Sequence, residues 1–298
     1  MRSPWTVALV LVAAPAAAQQ RNFDDVQIKT IPVAGGVSML QGAGGNIGVC
    51  AGQDGVFLVD DQYAPLTDKI RSAVEKIHPG PIRFVLNTHW HGDHTGGNEN
   101  LGKAGTLVVA HDNVRVRMST EQFNKAFGRT SPPSPAAALP VVTFTEAVTF
   151  HLNGDEIHAF HVPPAHTDGD AIVHFRRANV VHAGDIYFNG MYPFIDLDSG
   201  GSVAGVIAAV DRILAVASAD TRIIPGHGPL AGIQELQAYR RMLIDVRDAV
   251  QRAVADGKSL EDVQKAKPTA AYDAEWADGS VKPDKFVEIV YTDLSRGD

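Results

Sequence analysis

Short apolar runs alternate with glycine-rich breaks over residues 26–62. Ile28–Val33, Val37–Leu40, Ile47–Cys50 and Val56–Val59 are too short for helices, and the breaks suit tight turns, so the region predicts a β meander. Gly42-Ala43-Gly44-Gly45 lies at one break. No Gly-Lys-Ser/Thr follows, so it is read as a hairpin tip, able to lie as a flap beside a site, rather than as a phosphate loop. The period then changes. Ile70, Val74 and Ile77 share one face at helical spacing and predict a helix from about Leu66 to Ile77, stopped by His78-Pro79-Gly80-Pro81. Ile82–Leu86 is read as a strand buried on both faces. Thr106–Ala110 predicts another strand, and Asn113–Met118 a short helix. Residues 129–140 hold four prolines and are read as an exposed loop or lid.

The second half repeats the order. Val142–Leu152 and Glu156–Val162 alternate on either side of Asn153-Gly154, a tight-turn signal. Ala171–Phe175 and Val180–His182 predict strands. Ser202–Ser218 predicts an amphipathic helix with Val203, Val206, Ile207, Val210, Ile213 and Leu214 inward. Arg222–Ile224 predicts a strand, Ile233–Asp256 a long helix, and Leu260–Lys265 and Asp284–Leu294 two shorter ones. Strands then helix, twice over, implies an α/β fold of two stacked sheets with helices outside.

The chain opens MRSPWTVALVLVAAPAAAQQ. Arg2, the apolar run Val7–Ala14 and the small residues Ala16-Ala17-Ala18 predict a signal peptide over 1–18, leaving a single domain over 19–298. The run falls short of the ~20 apolar residues that span a bilayer. A periplasmic or secreted protein, free of the membrane after cleavage, is therefore expected. The formal net charge is −8 and there is no basic block, which argues against nucleic acid as a partner. Cys50 is the single cysteine, so no intrachain disulfide can form. Its apolar surroundings make it a buried small hydrophobe.

Chemistry concentrates in Thr88-His89-Trp90-His91-Gly92-Asp93-His94. Imidazoles and a carboxylate are ligands for zinc and other first-row metals. His89 and His91 are two apart and point the same way in an extended segment. Gly92 lets the backbone turn, so Asp93 and His94 can face a second point. One segment can thus feed two adjacent metals. His166, Asp185 and His227 each follow a predicted strand and are flanked by small residues.

This set, HxHxDH followed by a histidine, a Gly-Asp and a Gly-His-Gly, resembles the metallo-β-lactamase superfamily over about residues 25–230. The resemblance implies an αβ/βα four-layer sandwich, two mixed sheets with helices outside, and a dinuclear site at one edge. Carried over by position, His89, His91 and His166 would hold the first metal. Asp93, His94 and His227 would hold the second, with Asp185 bridging. Two zinc ions are implied; the bridging carboxylate also admits iron or manganese. The implied reaction is attack of metal-activated hydroxide on a carbonyl of a β-lactam, thioester, lactone or ester, with Asp93 orienting the nucleophile and moving its proton. Export favours a β-lactam or another periplasmic substrate over a glutathione thioester.

The ligand set resembles that of glyoxalase II and lactonases. Asp185 excludes the β-lactamase subclass with cysteine at the bridging position. Phe188 stands where that subclass carries a lysine and lactonases a tyrosine. Two alternatives stay open: a mononuclear iron dioxygenase acting on a persulfide, and a non-catalytic metal-binding protein. Asp60 matches an acidic residue implied to orient His89 or His91; an Asx turn or helix cap is the other reading. Tyr187, Phe188, Tyr192 and Phe194 are candidates for an apolar substrate wall, and His111 for a pocket lining. His78, His151, His158, His161, His174 and His182 are read as structural.

Overall fold

The computed structural model describes residues 22–126 and 128–296, so the signal peptide expected over 1–18 lies outside the described residues. The meander is antiparallel: β1 (Lys29–Ala34), β2 (Val37–Gln41), β3 (Ile47–Gly52) and β4 (Gly55–Val59). Helix α1 (Thr67–Ile77) returns the chain as β5 (Ile82–Leu86), parallel to β4. The short helices α2 (Gly92–Thr95) and α3 (Asn98–Lys103) lead to β6 (Leu107–His111) and α4 (Asp112–Met118). A small hairpin follows, β7 (Gln122–Asn124) and β8 (Arg129–Ser131), and then β9 (Val142–Phe144). The first sheet has the order β1-β2-β3-β4-β5-β6-β9.

The second sheet holds β10 (Ala147–Leu152), β11 (Asp155–His161), β12 (Ala171–Phe175), β13 (Val180–His182) and β14 (Arg222–Ile224), in that order. Asn153 and Gly154 turn β10 into β11 with φ of 54° and 75°, the left-handed pair a two-residue hairpin turn needs. Helices α5 (Val203–Val216), α6 (Ile233–Ala255), α7 (Leu260–Lys265), α8 (Asp273–Trp276) and α9 (Pro283–Ser295) complete the chain.

Alternation along the strands builds the layers. Met39, Phe57, Val59, Leu86 and Val109 face Ile157, Ala159, Val173, Phe175 and Ile224 between the sheets. Phe57 meets Phe150 edge-on at 4.9 Å and Phe175 at 6.5 Å, stitching the two sheets together. Such pairs add about 0.5–1.5 kcal/mol each beyond the area they bury. The opposite set, including Leu58, Val85 and Val108, packs under α1 and α3 with Ile70, Val74 and Leu101. Val181 and Ile172 pack under α5, α6 and α9 with Val206, Leu243 and Val290. The result is the αβ/βα four-layer sandwich. No helix among the described residues is long and apolar enough to cross a membrane.

Three expectations need correction. Val142–Leu152 is two strands in different sheets, β9 and β10, with the chain crossing at Thr145-Glu146. Alternation hid the switch because both strands turn one face to the same core: Phe144 from β9, and Val148 and Phe150 from β10. Ile82–Leu86 is buried on both faces only at Val85 and Leu86; Arg83 is exposed and donates to Asp54 O at 2.8 Å. Residues 129–140 are largely the exposed loop expected, but tied down rather than free to act as a lid. Ser134 N donates to Met118 O at 2.7 Å, and buried Ala138 accepts from Asn98 Nδ2 at 3.0 Å.

Candidate metal centre

The site gathers at strand ends. The chain leaves β5 through Asn87 and Thr88 to His89, and His91 caps α2 in extended geometry (φ −64°, ψ 144°). The helical turn of α2 then swings Asp93 and His94 to a second point. His166 comes from the loop between β11 and β12. Asp185 follows β13, on a turn made by Gly184 at φ 53°, and His227 follows β14. His89, His91, His166 and Asp185 form one group and Asp93, His94 and His227 another, with ligand atoms in each group within 4.8 Å of one another. All seven positions singled out in the sequence are thus together.

Asp185 lies between the groups. Its Oδ2 is 3.6 Å from His166 Nε2, 3.8 Å from His89 Nε2 and 3.4 Å from His227 Nε2; its Oδ1 is 3.1 Å from His94 Nε2. Asp93 Oδ2 is 3.4 Å from His227 Nε2 and 3.8 Å from His94 Nε2.

The partners behind each imidazole decide which nitrogen faces inward. His166 Nδ1 is 2.8 Å from Phe194 O, which can only accept, so Nδ1 carries the proton and Nε2 is bare. His91 Nε2 donates to Asp196 Oδ2 at 2.9 Å, which leaves Nδ1 bare. Thr88 Oγ1 donates to Asp60 Oδ2, so it accepts from His89 Nδ1 at 3.0 Å and His89 Nε2 is bare. His94 Nδ1 donates to Asp60 Oδ2 at 2.8 Å, which turns Nε2 inward. His91 Nδ1 and His166 Nε2 face each other at 2.9 Å, close enough to share either a proton or a cation. His89 Nε2 is buried with no hydrogen-bond partner. This donor set, neutral imidazoles locked by carboxylates and carbonyls behind them, fits divalent metal ions.

The electrostatics divide the two groups. Burial holds His89 neutral, well below its ordinary range, and His94 adds to the effect. His166 falls to about 4, burial outweighing the pull of Asp185. Burial also acts on His227, yet Asp185 and Asp93 outweigh it and push the ring up to about 9. His94 is likewise raised, against burial, by Asp185, Asp93 and Asp60. Burial would raise Asp93 and Asp185, but His94 and His227 hold both carboxyls well below the usual range. Protons on His94 and His227 occupy the places a cation would take.

Asp60 was anticipated as a supporting acid; Asp196, Asn46 and Asp170 were not. Asp60, with φ 63°, holds Thr88 N at 2.8 Å and His94 directly, and reaches His89 through Thr88. It does not touch His91; that ring is held by Asp196, 105 residues away and missed in the sequence. Asn46 Nδ2 donates to Pro225 O and Gly228 O, both at 2.9 Å, and so fixes the segment carrying His227. Asp170 Oδ2 accepts from His166 N at 2.6 Å. The Gly42–Gly45 tip does lie beside the site, but clamped: Gly45 N donates to Asp93 O at 3.0 Å, and Gln62 Nε2 to Gly45 O at 2.7 Å. A Cβ on Gly45 would meet His94 Cε1 at 2.0 Å, and one on Gly226 would meet Asp185 Oδ1 at 2.0 Å.

The aromatic candidates split. Phe188 stacks on His227 at 5.1 Å, and Phe194 lies 6.1 Å from His91 and 6.0 Å from His166. Tyr187 and Tyr192 point into the core instead, against Tyr239 and Phe286, both at 5.0 Å. His111 caps α4, accepting from Asn113 N at 3.2 Å, and stacks on His161 at 3.8 Å. It belongs to neither ligand group. Cys50 is buried, and burial pushes its thiol up to about 11.

Comparison with known proteins agrees with this geometry. The chain is 29% identical over 164 residues to a hydroxyacylglutathione hydrolase of Nitrosococcus oceani, covering 55% of each chain, so it spans about half the length of that relative. It is 24% identical over 188 residues to a probable metallo-hydrolase of Bacillus subtilis, covering 58% of this chain and 83% of that protein. A solved metallo-beta-lactamase from Pontibacter korlensis shares the fold, with a TM-score of 0.61 at 16% identity over 74% of this chain and 100% of that one. Residues 41–230 match the family described as the metallo-beta-lactamase superfamily, and the chain belongs to it.

Proposed function

We propose that the protein is a metal-dependent hydrolase with a two-zinc centre, acting on a carbonyl-centred bond of a small molecule: a β-lactam, thioester, lactone or ester. The observation that carries this reading is the place of Asp185, whose carboxylate reaches His89 and His166 of one group and His94 and His227 of the other. His89, His91 and His166 would hold one ion, Asp93, His94 and His227 the other, with Asp185 shared. When bound, such ions supply Lewis acidity that polarises a carbonyl and eases deprotonation of water near neutral pH.

The residues of the chain do the rest. Asp60 and Thr88 hold His89 and His94 in one tautomer; Asp196 and Phe194 O do so for His91 and His166. Asp93 is the ligand-group carboxylate most open to solvent, its side chain 25% exposed against 5% for Asp185. It can therefore orient an incoming water and take up its proton at Oδ2. Phe188 and Phe194 keep water from the backs of His227 and His166. A single-metal oxygenase would leave His94, His227 and Asp93 without a task, which favours the hydrolase.

The relative named as a hydroxyacylglutathione hydrolase supports a thioester among these substrates. Export through the N-terminal segment is part of the proposal; N-terminal sequencing of mature protein starting at Gln19 would support it, and a retained Met1 would count against it. Metal quantification followed by a panel of lactams, thioesters, lactones and esters tests the activity, with Asp93→Ala as the control. Turnover of one class by wild type and its loss in Asp93→Ala is expected. Inertness of the zinc-loaded wild type across the panel, or an Asp93→Ala variant that keeps most of the activity, would overturn the reading.

A further inference from the structure

His91 is the one ligand-group histidine whose ring is held by a side chain from the 196–199 turn, and that contact has a second layer behind it. Asp196 Oδ2 takes the His91 Nε2 proton at 2.9 Å and also accepts Ser199 Oγ–H at 2.7 Å. Ser199 N donates to Asp196 Oδ1 at 3.2 Å, so both carboxylate oxygens are fixed from one residue. Having spent its proton on Asp196, Ser199 Oγ can only accept from the Trp90 indole, whose Nε1–H lies 3.2 Å away. Trp90 sits between His89 and His91 in the chain, and its ring lies 4.8 Å from that of His91. The donors Trp90 Nε1, Ser199 Oγ and His91 Nε2 thus all run toward a single carboxylate, and Asp196 and Ser199 are buried.

We infer that Trp90 and Ser199 are positioning residues that, through Asp196, aim His91 Nδ1 at the cation held by His89, His91 and His166. The inference rests on the metal-centre reading above. The turn acts as a wedge between the ligand segment and the loop carrying His166, because Asp196 N also donates to His166 O at 3.0 Å. Replacing Ser199 with alanine frees one side of the Asp196 carboxylate and strands the Trp90 N–H. Replacing Trp90 with phenylalanine keeps the ring and removes only the donor.

The turn supplies its own control. Asp198 accepts Lys125 N at 2.8 Å and pairs with Lys125 Nζ at 3.4 Å, which anchors the β7–β8 hairpin and touches no ligand. The experiment strips metal from purified full-length wild type, Ser199→Ala, Ser199→Thr, Trp90→Phe and Asp198→Asn. Zinc affinity is measured by competition with a chromophoric chelator, the visible spectrum is recorded with cobalt, and folding of the metal-free forms is checked by thermal unfolding.

Ser199→Ala should weaken the tighter zinc site by about 10–100-fold and alter the cobalt bands. Trp90→Phe should weaken it less, in the same direction, while Ser199→Thr and Asp198→Asn stay near wild type. Wild-type affinity and spectrum in both Ser199→Ala and Trp90→Phe would overturn the inference and leave the metal centre standing. So would an Asp198→Asn variant as weak as Ser199→Ala, which would mark mere loosening of the turn. A wild type that binds neither zinc nor cobalt would overturn the metal centre itself.

Discussion

Asp60 Oδ2 lies 2.8 Å from His94 Nδ1, and the same oxygen accepts Thr88 Oγ1–H at 2.8 Å, so one carboxylate sets the orientation of a histidine in each ligand group. The backbone at Asp60 is left-handed, φ 63°, a conformation that costs a non-glycine residue of order 1 kcal/mol or more. It turns the chain at the end of β4 so that the side chain points under His94 and Thr88. Asp60→Ala should weaken zinc binding by about 10–100-fold, measured by chelator competition. It also leaves buried Thr88 N without a partner, so urea unfolding should show a loss of about 1–3 kcal/mol. Wild-type zinc affinity in this variant would remove Asp60 from the account.

Gly226 tests how tightly Asp185 is held. Its missing Cβ would sit 2.0 Å from Asp185 Oδ1 and 2.6 Å from Gly184 backbone atoms, and backbone cannot rotate away. Gly226→Ala should displace Asp185 and lose metal from both groups, with destabilisation of about 1–3 kcal/mol. Calorimetric titration with zinc reads the first effect and chemical unfolding the second. Two tight zinc sites in Gly226→Ala would show that the carboxylate is not where the bridging role needs it.

Zinc affinity should rise with pH. A cation binding at His227 Nε2 displaces the proton held there, and that proton is retained up to about pH 9. Because the folded value lies above the ordinary 6.5, protonation competes with metal throughout the neutral range. Each displaced proton weakens binding by about tenfold per pH unit below about pH 9, with a plateau above it. Titrations between about pH 6 and about pH 8 that give a flat affinity for the weaker site would contradict this.

Tyr187 and Tyr192 separate core from catalysis. Tyr187 Oη is buried without a hydrogen-bond partner, and burial pushes the phenol far above its usual range. Tyr187→Phe should therefore keep activity and hold or raise stability by up to about 1 kcal/mol. Tyr192 Oη donates to Asp273 Oδ1 at 2.8 Å, so Tyr192→Phe should lose about 1 kcal/mol without changing KM. A fall in kcat in a well-folded Tyr187→Phe variant would show that this phenol reaches substrate after all.

The legibility of this site in the sequence follows from chain distance. His89, His91, Asp93 and His94 were readable because their spacing converts directly into direction: an extended pair, then a turn. His166, Asp185 and His227 each follow an apolar run closely, but it was their order after HxHxDH, and the family resemblance it carries, that made them readable as ligands. Asp196 was invisible because nothing local ties it to His91, 105 residues away, and an Asp before a turn looks like any helix cap. Asn46 is 179 residues from Pro225, whose carbonyl it holds. The strand Val142–Leu152 failed for a different reason: hydrophobic period reports which face is buried and says nothing about which sheet it joins. Phe188 and Tyr187 are adjacent and equally aromatic, and only the turn after Asp185 decides that one meets His227 and the other the core.

The number of zinc ions bound per chain, in wild type and in Asp185→Ala, tests the central claim most directly. Elemental analysis after equilibrium dialysis should give two ions in wild type and no tightly held pair in the variant, because the Asp185 carboxylate reaches both groups. A single ion in saturated wild type, or two ions retained by Asp185→Ala, would contradict a shared two-metal centre.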